Sequence, residues 1–98
     1  MEQRREFRKH ECFVVTMYGR DQNGVCFSQK VTASSISRSG ALLSGITRRI
    51  RPGDLILVEH SGEKSRFKVI WVRDSESHQL MQAAIHRLEN EPCPWAAD

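Results

Sequence analysis

The feature that most constrains this chain is its punctuation: short apolar or β-branched runs recur along it, each closed by residues that turn the backbone. The first run, Cys12 to Tyr18, ends in Gly19-Arg20-Asp21-Gln22-Asn23-Gly24, and its Asn-Gly pair is a strong hairpin signal because both residues tolerate positive φ. Val25 to Ser35 reads as a second strand, with Val25, Phe27 and Val31 as core candidates. Ser37-Arg38-Ser39-Gly40 breaks it, and Gly40-Ala41-Leu42-Leu43 starts another apolar segment. Arg51-Pro52-Gly53-Asp54 is a turn that feeds Leu55-Ile56-Leu57-Val58. After Ser61-Gly62-Glu63, Phe67, Val69 and Trp71 alternate with Arg66, Lys68 and Ile70, which gives a strand whose buried face includes Trp71. The last run, Leu80 to Leu88, fits two periods: Met81, Ile85 and Leu88 have helical spacing, while Met81, Ala83 and Ile85 alternate as in a strand. Local pattern leaves that segment open.

Nowhere else does a capping residue precede an apolar stripe at helical spacing, so regularly spaced strands predict an all-β barrel or sandwich. With 98 residues, 39% of them hydrophobic, the chain can bury one modest core and is expected to form one domain. Its apolar stretches fall far short of the roughly 20 residues a membrane-spanning helix requires, so no membrane insertion is expected. The opening Met-Glu-Gln-Arg-Arg-Glu carries charge where a signal peptide needs an apolar core, and the expected location is the cytoplasm. Cys12, Cys26 and Cys93 form an odd set with no Cys-x-x-Cys spacing, and they read as reduced thiols. Net charge is only +3, but the positive charge is uneven: Arg4, Arg5, Arg8 and Lys9 form one cluster, and Arg48, Arg49 and Arg51 another. The C-terminal stretch carries Glu89, Glu91 and Asp98 instead. This divides the chain into a basic arm over 1–10, a barrel over 11–90 and a tail over 91–98, in which Trp95 is expected to pack back on the barrel.

Catalytic frames are missing. Ser39-Gly40 and Ser44-Gly45 lack the Gly-x-Ser-x-Gly frame of a nucleophile elbow. His10, His60, His78 and His86 are too scattered for a local metal site, and no phosphate-cradling glycine loop is present. The expectation is a binding protein, with no enzymatic activity, no metal and no cofactor.

Two segments carry a binding signal. Arg4-Arg5-Glu6-Phe7-Arg8-Lys9 precedes the first strand, and forked guanidinium groups grip phosphates, or the O6 and N7 edge of guanine, in a bidentate way. Ser35-Ile36-Ser37-Arg38-Ser39-Gly40 leaves a strand, offers short hydroxyls, and reads as turning on a glycine that adopts positive φ. Each has an ordinary reading on its own, as a solvated tail and a serine-rich loop.

In combination, an Arg-x-x-x-Arg arm, a strand and hairpin, and an x-x-Ser-x-x-Gly turn followed by Ala-Leu-Leu resemble the PilZ domain family from about Arg4 to Leu88. The resemblance implies a six-stranded antiparallel split β-barrel with a flexible basic N-terminal arm, which makes Leu80 to Leu88 a strand. It also implies a module that binds the bacterial second messenger cyclic di-GMP and passes the signal to a protein partner. By position, Arg4 and Arg8 match the two family arginines, and Ser37 and Gly40 match the serine and glycine of its Asp/Asn-x-Ser-x-x-Gly, with Arg5, Lys9 and Arg38 supplying charge at the rim. Ser35 stands where the family has Asp or Asn, and losing a bidentate base contact costs about 1 to 3 kcal/mol. Two alternatives stay open. A degenerate module would bind protein without nucleotide. A small basic barrel would bind single-stranded nucleic acid through Arg48, Arg49 and Arg51, a reading weakened by aromatic residues that fall at core positions. Exposed strand edges permit a homodimer.

Overall fold

The computed structural model describes residues 11–74 and 80–95. The basic arm, with Arg4, Arg5, Arg8 and Lys9, lies outside them. The described chain is all-β, with no helix, in six strands: β1 Phe13–Arg20, β2 Cys26–Ser34, β3 Gly40–Ile46, β4 Leu55–His60, β5 Glu63–Asp74 and β6 Met81–Arg87. They pair antiparallel in the closed order β1-β2-β3-β6-β5-β4. The expected six-stranded antiparallel barrel is therefore present, and the ambiguous last run is a strand, because it fills the gap between β3 and β5. No described helix is long and apolar enough to cross a membrane.

Turn chemistry sets the registers. Asp21 closes the first hairpin, its Oδ1 accepting from the Asn23 and Val25 N–H groups at 2.9 and 3.0 Å while Gly24 sits at φ 80°. Ser61 and Gly62, at φ 54° and 85°, join His60 to Glu63 in a two-residue turn whose twist suits a tight hairpin. At Arg51–Asp54 the Asp54 carboxylate accepts the Arg51 N–H at 2.9 Å.

Alternate residues of all six strands meet inside: Val15 and Met17, Phe27 and Val31, Ala41 and Leu43, Ile56 and Val58, Phe67 and Val69, Met81 and Ile85. Ile36 and Trp95 enter the same core from the connections. Trp95 packs against Phe67 with ring centroids 5.3 Å apart, so this part of the tail is integral to the barrel, as expected for that residue.

Two core assignments fail. Val25 is 53% exposed, because its N–H and C=O are tied into the Asp21 turn and its side chain stands at the hairpin tip. Trp71 is 41% exposed, for a different reason. Val69 pairs with Ile85 and Trp71 with Ala84, so Ile70 is an extra residue in β5. That bulge inverts the alternation: Trp71 turns outward and Val72 packs toward the core.

Candidate ligand-binding face

β2 ends at Ser34, and Ser35 takes φ 52°, a left-handed conformation uncommon outside Gly, Asn and Asp. The reversal sends Ile36 into the core, 3% exposed, and brings Ser37 back beneath the surface. There the chain closes on itself. The Ser37 N–H donates to the Gly40 carbonyl at 2.9 Å, and the Ser37 hydroxyl accepts the Gly40 N–H at 3.2 Å.

Residues outside the turn hold its carbonyls. The Trp95 indole N–H donates to Ser37 O at 2.8 Å, Arg87 Nε to Arg38 O at 2.9 Å, and the Arg87 N–H to Ser39 O at 2.6 Å. Arg87 Nη1 also reaches Glu91 O at 2.6 Å, which ties the turn to the tail. The tail is anchored in turn: Glu91 accepts the Arg66 backbone N–H at 2.9 Å and its guanidinium at 3.0 Å, and Ser65 Oγ donates to Pro92 O. The Arg66 backbone bond, helped by its guanidinium, holds the Glu91 carboxyl below the usual carboxylate range. Main-chain atoms of the Ser37–Gly40 turn are thus fixed from several directions, as a preorganised binding element requires.

Gly40 has a steric role rather than the expected positive φ. Positive φ occurs at Gly24, Gly45, Gly53 and Gly62 and not at Gly40. A Cβ at Gly40 would lie 2.2 Å from the Ile85 carbonyl oxygen, because β3 and β6 approach closely where Gly40 pairs with His86. The reversal belongs to Ser35, at φ 52°.

Register then builds a groove beside the turn. Leu42 on β3 pairs with Ala84 on β6, which pairs with Trp71 on β5, so these three outward residues form a row across the sheet. Gly40 and His86 form the neighbouring pair. Small side chains at Gly40 and Ala84 between Leu42 and Trp71 leave a groove of about 360 Å³, to which Ser35, Ser37, Ser39 and Ile70 also contribute. The Arg73 guanidinium sits 5.3 Å from the Trp71 ring centroid. His86 Nδ1 lies 3.1 Å from the Arg87 carbonyl, which can only accept, so Nδ1 carries hydrogen and Nε2 is left to accept in the neutral ring.

Of the sequence-derived site residues, Ser35, Ser37 and Gly40 line this groove. Arg38 is exposed beside it, contributing its carbonyl to the Arg87 clamp. Arg4, Arg5, Arg8 and Lys9 fall outside the described residues. The sequence reading did not place Trp71, Ala84, His86, Arg87 or Trp95 at this site: it put Trp71 in the core and Trp95 on the barrel, and the bulge that exposes Trp71 and the long-range clamps leave no local pattern. Among the described residues no cluster of three His, Cys, Asp or Glu side chains could hold a metal ion.

No family model matches the chain, and no curated protein or solved structure matches it either.

Proposed function

We propose that this chain is a PilZ-type receptor module that binds cyclic di-GMP on the groove beside the Ser35–Gly40 turn and transmits that event to a protein partner. One observation carries the reading: Phe13, the first residue of β1, pairs with Ala33, two positions before Ser35. The chain ahead of Phe13 is therefore tethered at the end of the barrel that holds the turn. Arg8 precedes Phe13 by five residues, which limits its Cα to about 17 Å from that of Phe13. Arg4 and Arg8 within such a tether meet a ligand's phosphates and guanine edges, while the turn and groove receive the rest.

The groove suits that division of work. Trp71, 41% exposed, lines the groove as an aromatic ring against which a purine stacks, and Gly40 and Ala84 leave room for a flat ring over the sheet. His86 Nε2 and the serine hydroxyls add hydrogen-bonding capacity. Binding is the whole of the proposed chemistry: the module turns over no substrate, and the output is a rearrangement of the arm that alters what a partner meets. Ser35 favours the second reading, a protein-binding module without nucleotide, because its short hydroxyl replaces a planar acceptor for the guanine edge.

Calorimetric titration with cyclic di-GMP separates these readings. The receptor reading predicts saturable binding that is lost in the Arg4→Ala, Arg8→Ala double variant and strengthened roughly tenfold by Ser35→Asp. Equal binding by wild type and the double variant overturns it, and no binding by wild type or Ser35→Asp leaves the protein-binding module.

A further inference from the structure

The bulge in β5 does more than expose Trp71. Phe67 and Val69 are buried, so an unbroken alternation would send Trp71 and Arg73 inward as well. The extra residue at Ile70 shifts both to the outer face, where Trp71 pairs with Ala84 and Arg73 with Gln82. On β6, Met81, Ala83 and Ile85 are buried, which leaves Gln82, Ala84 and His86 on that same outer face. Three rows therefore cross the sheet side by side: Gly40, His86 and Lys68; Leu42, Ala84 and Trp71; Ser44, Gln82 and Arg73. Gly40, His86, Leu42, Ala84 and Trp71, from the first two rows, line the groove beside the Ser35–Gly40 turn, and the third row borders it.

That third row holds an arginine in a fixed pose. Arg73 Nε donates to Gln82 Oε1 at 2.9 Å, and the Gln82 amide nitrogen donates to Ser44 Oγ at 3.2 Å, which leaves Oε1 as the end turned toward Arg73. With Nε engaged and the guanidinium 5.3 Å from the Trp71 ring centroid, the Nη N–H groups keep their forked geometry for a further acceptor. Among the described residues no carboxylate pairs with Arg73, the ion pairs being those of Arg48 with Asp21 and Arg66 with Glu91. Asp74, next in the chain, pairs with Met81 and so falls on the opposite face of β5. An arginine posed by neutral neighbours, its charge uncompensated, suits an anion brought from outside.

We infer that Arg73 is the phosphate contact of a purine-nucleotide subsite at this end of the groove, with Trp71 as the ring against which the base stacks and Gln82 as the residue that positions the guanidinium. The inference rests on the nucleotide-binding reading for its ligand class, and it adds a cation fixed by the barrel, separate from the arginines of the arm. Neighbouring rows on one face of a strand lie roughly 7 Å apart, so a base over Ala84 has its sugar and phosphate within reach of the long arginine side chain in the next row. An aromatic ring and an arginine fork in adjacent rows select a nucleotide over free phosphate or a free base, because each of those satisfies only half of the subsite.

The test titrates the full chain with guanosine monophosphate and with guanosine, followed by the Trp71 indole and Arg73 Nε–H signals of the labelled protein. The monophosphate moves both signals, and guanosine, which lacks the phosphate, binds about tenfold more weakly or worse. Arg73→Ala weakens the monophosphate roughly tenfold to hundredfold, the range of a hydrogen bond to a charged group, and Arg73→Lys restores only part of this because lysine lacks the fork. Gln82→Leu weakens it roughly threefold with Arg73 present and has no further effect in Arg73→Ala, as a residue acting through Arg73 must. Lys64→Ala is the control for general charge: Lys64 is exposed on the same face of β5, 5.1 Å from the Tyr18 ring centroid and near the other end of the strand, and its loss leaves binding unchanged. Thermal melts verify that each variant stays folded. The inference is overturned if the monophosphate leaves both signals in place, if guanosine binds as tightly, if Arg73→Ala binds as wild type, if Gln82→Leu acts equally in both backgrounds, or if Lys64→Ala weakens binding as much as Arg73→Ala. Cyclic di-GMP separates this inference from the receptor reading. Binding lost in the Arg4→Ala, Arg8→Ala double variant but intact in Arg73→Ala overturns the subsite alone, and Arg73-dependent monophosphate binding with no cyclic di-GMP binding overturns only the receptor.

Discussion

Replacing Gly40 by alanine places a methyl group 2.2 Å from Ile85 O and 3.3 Å from Ile85 C, both backbone atoms of the facing strand. A flexible side chain could swing aside, but a strand carbonyl cannot move without separating β3 from β6 at the Gly40–His86 pair. The same displacement disturbs the Ser37–Gly40 hydrogen bonds and the Arg87 clamp. Overpacking typically costs 1 to 3 kcal/mol, and a backbone clash belongs at the upper end, about 3 kcal/mol. At 4 to 8 °C per kcal/mol for a domain of this size, the melting temperature falls by roughly 12 to 24 °C. Gly24→Ala is the internal control. It has φ 80° but no atom within 4 Å of the added Cβ, so it costs only about 1 kcal/mol of left-handed strain. Gly40→Asn makes the test sharper, since asparagine tolerates positive φ but is larger than alanine. The steric account predicts that Asn at this position is at least as damaging as Ala. Thermal and urea unfolding followed by circular dichroism measure all three, and a Gly40→Asn protein more stable than Gly40→Ala refutes the reasoning.

Three further perturbations read other parts of the site. Ser35→Asn relieves part of the roughly 1 to 2 kcal/mol that a left-handed backbone costs other residues, so the urea midpoint rises; an unchanged or lower midpoint counts against strain at this position. Trp95→Phe removes the donor to the buried Ser37 carbonyl and costs about 1 to 3 kcal/mol, measured by urea unfolding, with amide shifts concentrated in residues 37–40. The Asp21 carboxyl is held below its ordinary value, chiefly by the Val25 N–H and further by Asn23 N–H and Arg48. Folding thus favours its ionised form, and that contribution is complete above the unfolded-state pKa and lost as pH falls through the lowered folded value. Asp21→Asn should therefore flatten the acid limb of stability against pH, and an acid limb identical to wild type refutes the assignment.

Much of the barrel was legible because its signals are local. Asn23-Gly24, Ser61-Gly62 and Pro52-Gly53 each sit at an observed turn, and the apolar runs between them supply the strands. Legibility failed where one residue changed the count. The sequence alternates cleanly through Phe67 and Val69, but the extra residue at Ile70 depends on pairing with β6, far along the chain, and it turned Trp71 outward. Val25 failed at a hairpin tip, where the Asp21 bonds override side-chain preference. The period of Leu80 to Leu88 could not choose between helix and strand, and the open position between β3 and β5 decided it. In the site, the Ser-x-x-Gly spacing marked the turn, but the reason for glycine was invisible: Gly40 answers to the Ile85 carbonyl, and the left-handed residue is Ser35. Trp95 was expected on the barrel, but its clamp on Ser37, like that of Arg87 on Arg38, was hidden because a bond across the fold leaves no spacing to read.

The central claim is that cyclic di-GMP occupies the groove beside the Ser35–Gly40 turn, and an amide and indole shift titration of the labelled protein with that ligand tests it most directly. The account predicts saturable shifts at Arg4, Arg8, residues 35–42, the Trp71 indole, Ala84 and His86, with the hairpin between β1 and β2, residues 21–25, unaffected. Shifts at that hairpin instead, or a spectrum unchanged by excess ligand, would contradict it.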